Sequence, residues 1–332
     1  MININERLFK QYNIDSTKSL DIETVCARPF DTVLIDKTGS CYACECQAWL
    51  PQSIGNLQVQ SMEEILRSEM RAHIQSSVGD RSYRYCNSAR CPYIKSNSIP
   101  EKIHTQHTQV LRLGIDESCN LRCPSCRNGL IFHKEGAKYN TAIKLADKIN
   151  DWLHTTDQKV AVHMGSDGDP YASHVYRHFM QNTPRRANIK YWIMTNGHMF
   201  KEAHTQTPHI NDNLTQLAVS IDGATKDTYE KLRLGGRWDK LLDNLKSMAE
   251  QKDDKKFSFH WHMVVQKDNW HEMPGMVDLA MQHNVDMMFF DKIQNWNTNL
   301  PYDTSFTQLD EFKQVMKQVQ GMSSIVRTSN LS

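Results

Sequence analysis

The sequence predicts an α/β protein whose parallel strands alternate with helices, preceded by a small domain organised by cysteines. From about residue 108, short apolar runs alternate with longer amphipathic stretches, which is the pattern of βαβ units on a parallel sheet. All nine cysteines fall within the first 126 residues, so the amino-terminal third is built differently from the rest. The chain's 332 residues, 39% of them apolar, suffice for a sizeable core, and the length suits two domains or one long α/β barrel.

The first hundred residues contain a short alternating segment at Thr32–Asp36, a Lys37-Thr38-Gly39 turn, a Pro51–Gly55 loop and a helix over Met62–His73. Ser96–Ile103 is mostly polar, contains Pro100 and reads as a linker. Strands are predicted at Val110–Ile115, Val160–Met164, Ile189–Met194, Leu217–Ile221, Phe257–Val265 and Val285–Phe290. Helices fit Thr141–Leu153, Ser173–Gln181, Trp238–Gln251 and Met273–His283, where apolar residues recur at three- and four-residue spacing. Six strands with intervening helices fit an incomplete barrel or a doubly wound sheet. Either arrangement places working residues at the carboxyl ends of the strands. One more amphipathic helix, Leu309–Val319, and a polar tail end the chain. The expected boundaries are 1–104, 105–300 and 301–332.

With 39 Lys and Arg against 38 Asp and Glu, the net charge is +1, which gives no nucleic-acid footprint apart from a local basic pair, Arg185 and Arg186. No run approaches 18 consecutive apolar residues and the first residues lack a secretory apolar stretch, so the expectation is a soluble cytoplasmic protein with no membrane partner. That compartment keeps thiols reduced, so nine cysteines point to metal or iron–sulfur ligation rather than disulfides.

Cys119, Cys123 and Cys126 follow the first predicted barrel strand in the spacing C-x3-C-x2-C. Three thiolates on one loop can hold three corners of a [4Fe–4S] cluster and leave the fourth iron open for an exchangeable ligand. The competing reading is half of a zinc site on Cys123 and Cys126. Past the second strand, Gly165-Ser166-Asp167-Gly168-Asp169-Pro170 is on its own a turn. Ser220 and Asp222 alternate at the end of the fourth strand and share a side. In the fifth strand His260 and His262 share a face, with His271 beyond, and Trp192, Trp261, Trp270, Trp296, Phe289 and Phe290 supply aromatic mass near strand ends, by default as core. Asn295-Trp296 stands past the sixth strand as a candidate substrate contact.

The three-cysteine loop on the end of a first barrel strand resembles the radical S-adenosylmethionine (radical SAM) family. The resemblance implies a partial (βα)6 TIM-type barrel and a [4Fe–4S] cluster on Cys119, Cys123 and Cys126 whose open iron chelates S-adenosylmethionine. It also implies one-electron cleavage of that cofactor to a 5′-deoxyadenosyl radical that abstracts a substrate hydrogen. Gly168, Asp169 and Pro170 fall in the positions of the family's Gly-Gly-Glu-Pro segment, with Asp167 replacing a glycine, and Ser125 stands where an aromatic residue is common. Ser220 and Asp222 match ribose contacts, and Thr195, Asn196 and Asn269 stand at family-typical places after strands.

The stretch SIDGATKDTYEKLRLGGRWDKLLDNL resembles radical SAM enzymes with a SPASM or twitch extension, in which an arginine matching Arg233 approaches the cofactor carboxylate. Cys26 with Gly39 and Cys44 (C-x12-G-x4-C), Gly55-Asn56, Ser61–Ile65 and Cys86-x4-Cys91 resemble the SPASM module, here ahead of the barrel. Cys26, Cys44, Cys86 and Cys91 then suffice for a second, auxiliary [4Fe–4S] cluster, with structural zinc as the alternative. Cys41 and Cys46 are left over, as free thiols, as a replacement for one of those four ligands or as hydrogen-atom donors to a substrate radical. The resemblance implies a peptide or protein substrate that is crosslinked, oxidised or epimerised, or alternatively a small sugar-like or aminocyclitol molecule. A one-electron reductant such as flavodoxin or ferredoxin is the implied partner. The competing class is a non-catalytic iron–sulfur or zinc protein that senses redox state or binds a partner.

Overall fold

The computed structural model describes residues 25–100, 109–255, 257–295, 298, 302–328 and 331. The chain divides into two compact units. One holds the described residues through Asp116 with Glu135–Asp167 and Asn182–Lys190, and the other holds Glu117–Lys134, Gly168–Gln181 and the chain from Tyr191 onward.

In the first unit the strands are β1 (Thr32–Asp36), β2 (Ser40–Tyr42), β3 (Ser53–Asn56), β4 (Gln109–Gly114) and β5 (Val160–Met164), in the order β5-β4-β1-β2-β3. β4 and β5 run parallel, with Leu111 opposite Val162, and are joined through the helix Gly136–Thr155, whose Leu145, Ala146, Ile149 and Leu153 are buried. β1 also lies parallel to β4, pairing Thr32 with Val110. The amino-terminal segment thus extends the sheet and covers the β4 edge, which an incomplete barrel would leave open. Arg71 fixes this junction: its guanidinium donates to the carbonyls of Pro29 and Phe30 and to Gln109 Oε1 at 2.8–3.2 Å.

Two local expectations for this region are corrected. Ser53–Asn56 is a strand antiparallel to β2 rather than a loop. The single helix over Met62–His73 is two, Met62–Leu66 and Glu69–Gly79. The first begins with a capping box, in which Ser61 Oγ accepts from Glu64 N while Glu64 accepts from Ser61 N. The second restarts because Ser68 caps it, accepting from Arg71 N at 3.3 Å. Of the predicted linker, Glu101–Ile103 lie outside the described residues.

β6 (Ile189–Thr195), which lies in the second unit from Tyr191 onward, and β7 (Leu214–Ser220), β8 (Ser258–Val265) and β9 (Met287–Lys292) of that unit each pair in parallel with the next in sequence. Sequential order without reversal is that of a barrel rather than of a doubly wound sheet. A two-residue strand β10, Val326–Arg327, covers the β9 edge, Val326 lying opposite Met288. β8 alternates cleanly: Phe259, Trp261, Met263 and Val265 are buried, whereas Ser258, His260, His262 and Val264 are half-buried on the other face. The helix predicted at Leu309–Val319 spans Asp310–Met322. Among the described residues no helix is long and apolar enough to cross a membrane.

Candidate functional site

The cysteine loop is shaped by its own backbone. Cys126 N and Arg127 N both donate to Cys123 O at 3.0 and 3.1 Å, which closes a turn, and Cys119 N donates to Ile131 O at 2.9 Å. Cys119 and Cys123 are buried and Cys126 is exposed. Each sulfur faces a donor: Leu121 N (3.4 Å) and Asn196 Nδ2 (3.5 Å) at Cys119, Arg233 Nη1 (3.9 Å) at Cys123 and Arg127 Nη2 (3.7 Å) at Cys126. Such donors favour thiolate over thiol. Burial opposes them, pushing Cys119 up to about 11 and raising Cys123 as well, so a bound metal's positive charge would complete the deprotonation. Among the described residues no three His, Cys, Asp or Glu side chains converge on a single-ion position. A cuboidal cluster does not ask for that, because each cysteine holds a different iron. Three thiols on one loop, each with its own donor, therefore fit a [4Fe–4S] cluster.

Asp169 organises the opposite wall. It is 2% exposed, and its carboxylate accepts four hydrogen bonds: from Tyr171 N (3.1 Å) and Ala172 N (3.0 Å) at Oδ1, and from Thr195 Oγ1 (2.8 Å) and Asn196 N (2.7 Å) at Oδ2. Its own N–H donates to Ser118 O at 2.8 Å. Asn196 then carries the arrangement to the loop through Nδ2, which reaches Cys119 Sγ and, at 2.9 Å, Asn120 Oδ1. Both Asp169 oxygens are thus committed within the chain. Gly168 adopts φ 69° at this turn, and Pro170 is buried beside it.

Arg233 and Asp222 form the third element. Arg233 Nε lies 2.8 Å from Asp222 Oδ2, with the two side chains 11% and 1% exposed. Burial acts against the guanidinium, but Asp222 and Cys123 hold its pKa above the ordinary value. Asp222 Oδ1 accepts from Val264 N at 2.9 Å. Asn269, completely buried, donates to Asp222 O and Val264 O and accepts from Gln266 N, so its amide is spent on joining two strand ends. Ser220 ends β7 half-buried, opposite His262.

Several residues here carry no sequence signature. His198 Nε2 accepts from Arg237 N at 2.6 Å, which leaves Nδ1–H to donate to the Tyr229 hydroxyl at 3.2 Å, and Asn244 donates to His198 O. This bracket holds the turn behind Arg233, where Leu234 O accepts from Arg122 N at 3.0 Å. Gly235 has φ 92°, and a Cβ on Gly236 would meet Arg233 O at 2.8 Å and the Tyr229 ring at 3.0 Å. Glu272 accepts from Ala224 N, Thr225 N and Oγ1, and Thr228 Oγ1, fixing the start of the helix Lys226–Leu232.

Beyond these, the half-buried faces of β6 to β9 form a row of side chains: Trp192 and Met194, then Gln216 and Ser220, then His260 and His262, then Met287, Phe289 and Asp291. His262 stacks on Phe289 (4.6 Å, 9°) and its Nδ1 lies 3.0 Å from Asp291 Oδ2. Burial, then His262, push His260 down to about 4. Trp261 and Phe290 are core. Trp270 packs on Phe312 and His271, and Trp296 lies outside the described residues. Arg186 is tied to Asp157 and the His154 carbonyl.

In the first unit Cys26, Cys44, Cys86 and Cys91 are drawn together. Burial is the main cause of their raised pKa values, and every pair among the four also interacts through its charges. Four mutually close thiols fit a fully ligated cluster. Tyr83 Oη accepts from Cys26 N at 3.0 Å, Cys86 N donates to Tyr83 O, and Cys91 N donates to Asn87 O. Cys46 lies near Cys91. Cys41 is buried on β2, with its thiol donating to Gly39 O at 3.5 Å.

Residues 26–92 match the SPASM family, an iron–sulfur cluster-binding domain. Over 218 residues the chain is 22% identical to a GTP 3′,8-cyclase of Petrotoga mobilis, a match covering 64% of each; it thus spans less than two thirds of that relative's length. Similar solved structures include Streptococcus suis SuiB bound to the precursor peptide SuiA (13% identity, 82% of this chain and 55% of that one, TM-score 0.49). Another is native anSMEcpe with bound AdoMet (16%, 64% and 58%, TM-score 0.43). The chain thus carries a SPASM iron–sulfur cluster-binding domain over its amino-terminal thiols, followed after β4 by the three-cysteine loop.

Proposed function

We propose that the chain generates a 5′-deoxyadenosyl radical from S-adenosylmethionine and abstracts a hydrogen atom from a peptide or protein side chain, leading to a crosslink, an oxidation or an epimerisation. The observation that carries this reading is the loop of Cys119, Cys123 and Cys126, each sulfur met by a donor. Bound there, a [4Fe–4S] cluster supplies the electron that cleaves the cofactor. The chain's own residues orient it. Asp169 sets Asn196 against Cys119, and Asp222 sets Arg233 against Cys123. Gly168, Pro170, Thr195, Ser220 and Asn269 shape the walls. The half-buried row from Trp192 to Asp291 offers a substrate both apolar and polar surface. Residues 105–300 serve as the barrel core, and the reductant is a flavodoxin- or ferredoxin-like cytoplasmic protein.

The peptide assignment rests on the resemblance of the amino-terminal cysteine pattern and the SIDGATKDTYEKLRLGGRWDKLLDNL stretch to radical SAM enzymes with a SPASM extension. A second reading, a small polar substrate, is favoured by the relative named as a GTP 3′,8-cyclase and by the imidazoles and carboxylate of the half-buried row. Iron and sulfide content after anaerobic reconstitution, with 5′-deoxyadenosine measured alongside, tests the chemistry. About eight irons per chain are expected, falling to about four in a Cys119→Ala/Cys123→Ala/Cys126→Ala variant, with cleavage abolished. Persistent cleavage in that variant would refute the mechanism.

A further inference from the structure

The inference concerns the amino-terminal thiols and rests on the reading that Cys26, Cys44, Cys86 and Cys91 hold an auxiliary [4Fe–4S] cluster. Beside them lies a polar network that neither the motif nor the resemblance singles out. Arg28 Nε is 2.5 Å from Glu45 Oε1, and Tyr93 Oη donates to Glu45 Oε2 at 3.0 Å. The Arg28 and Glu45 side chains are only 13% and 18% exposed. Each member belongs to a different ligand segment: Arg28 stands two residues after Cys26, Glu45 directly after Cys44, and Tyr93 two residues after Cys91. The network therefore joins three of the four ligand segments by bonds that need no metal. The Tyr93 ring is set in turn by an edge-to-face contact with Trp49 at 5.5 Å. Arg28 has a second acid, Asp31, at 3.7 Å, so both sides of the pair are anchored.

We propose that Arg28, Glu45 and Tyr93 are positioning residues for the auxiliary cluster, holding its ligand segments together before the cluster arrives and setting its reduction potential with one anion and one cation beside it. A negative charge near a cluster disfavours the incoming electron and a positive charge favours it. Glu45→Gln removes the anion and leaves Arg28, so the potential rises. Arg28→Gln leaves the anion alone, so the potential falls. Tyr93→Phe keeps both charges and the ring against Trp49 and loses only the hydroxyl, so its effect is slower cluster uptake at an unchanged potential.

The experiment places each substitution in the full-length Cys119→Ala/Cys123→Ala/Cys126→Ala background, where only the auxiliary site remains. Iron uptake is followed during anaerobic reconstitution, and the midpoint potential is read by EPR-monitored titration. The expected result is about four irons in the parent, shifts of opposite sign for Glu45→Gln and Arg28→Gln, and uptake slowed several-fold in Tyr93→Phe. Potentials that do not move, or that move in the same direction, overturn the network's charge role, and parental uptake in Tyr93→Phe overturns its positioning role. A parent that binds no iron overturns the auxiliary cluster itself, an outcome distinct from failure of the network alone.

Discussion

At the scale of single residues, the site is held by buried charges whose partners are inside the chain. Asp222 is 1% exposed against Arg233 at 2.8 Å, so Asp222→Ala leaves a buried guanidinium without its anion. The expected cost is about 3–5 kcal/mol, read by urea denaturation of the metal-free protein. Asp169 accepts four hydrogen bonds. Asp169→Asn turns one accepting oxygen into a donor against N–H or O–H groups, and a loss of about 2–3 kcal/mol is expected by the same measurement. His260 gives a pH dependence. Its pKa is about 4 in the folded chain, lowered first by burial and then by His262, whereas an unfolded histidine titrates near about 6.5. Between those values the unfolded chain binds the extra proton, so stability is lost as the pH falls from about 6.5 toward 4. Melting temperatures recorded between pH 7.5 and 5 should fall less steeply in His260→Gln; an unchanged slope would remove His260 from the account.

At the scale of elements, the Leu234-Gly235-Gly236 turn docks the Arg233 segment onto the cysteine loop through Leu234 O and Arg122 N. Gly235→Ala places a side chain at φ 92°, and Gly236→Ala drives a Cβ into Arg233 O. Each should destabilise the fold by more than about 1 kcal/mol and lower iron retention at the three-cysteine site, seen as a reduced iron-to-protein ratio after gel filtration. The strands and long helices after residue 108 were legible because alternation and three-to-four spacing persist over whole elements. β2 and β3 were not: Ser40–Tyr42 and Ser53–Asn56 are short, and their order comes from antiparallel pairing, β2 with β1 across the turn at Gly39 and β3 with β2. The break at Arg67–Ser68 was equally hidden, because Ser68 acts through its side-chain cap rather than through any change in apolar spacing.

At the scale of the whole molecule, the four auxiliary thiols lie in one compact unit and the three-cysteine loop in the other. Iron losses should therefore be separable. Cys26→Ala/Cys86→Ala is expected to keep about four irons and cofactor cleavage competence at the loop, and the triple variant to keep about four at the quartet. Loss of both from either variant, by iron assay, would show that the sites depend on each other.

The sequence by itself determined the parallel α/β plan, the two groups of cysteines and the segments after each strand that flank the second group. It could do so because ligand spacing and strand–helix alternation are local properties, written within a few residues of one another. The tertiary structure decided what each flanking residue is for. Asp169 and Asn269 stand where the sequence marks candidate cofactor contacts, yet their polar atoms are spent on neighbours 26 and 47 residues away. His198, Glu272 and the Arg28–Glu45–Tyr93 network have no local mark at all. Hydrogen bonds between side chains distant in sequence arise only when the chain folds, and in a buried site almost every polar group must find such a partner.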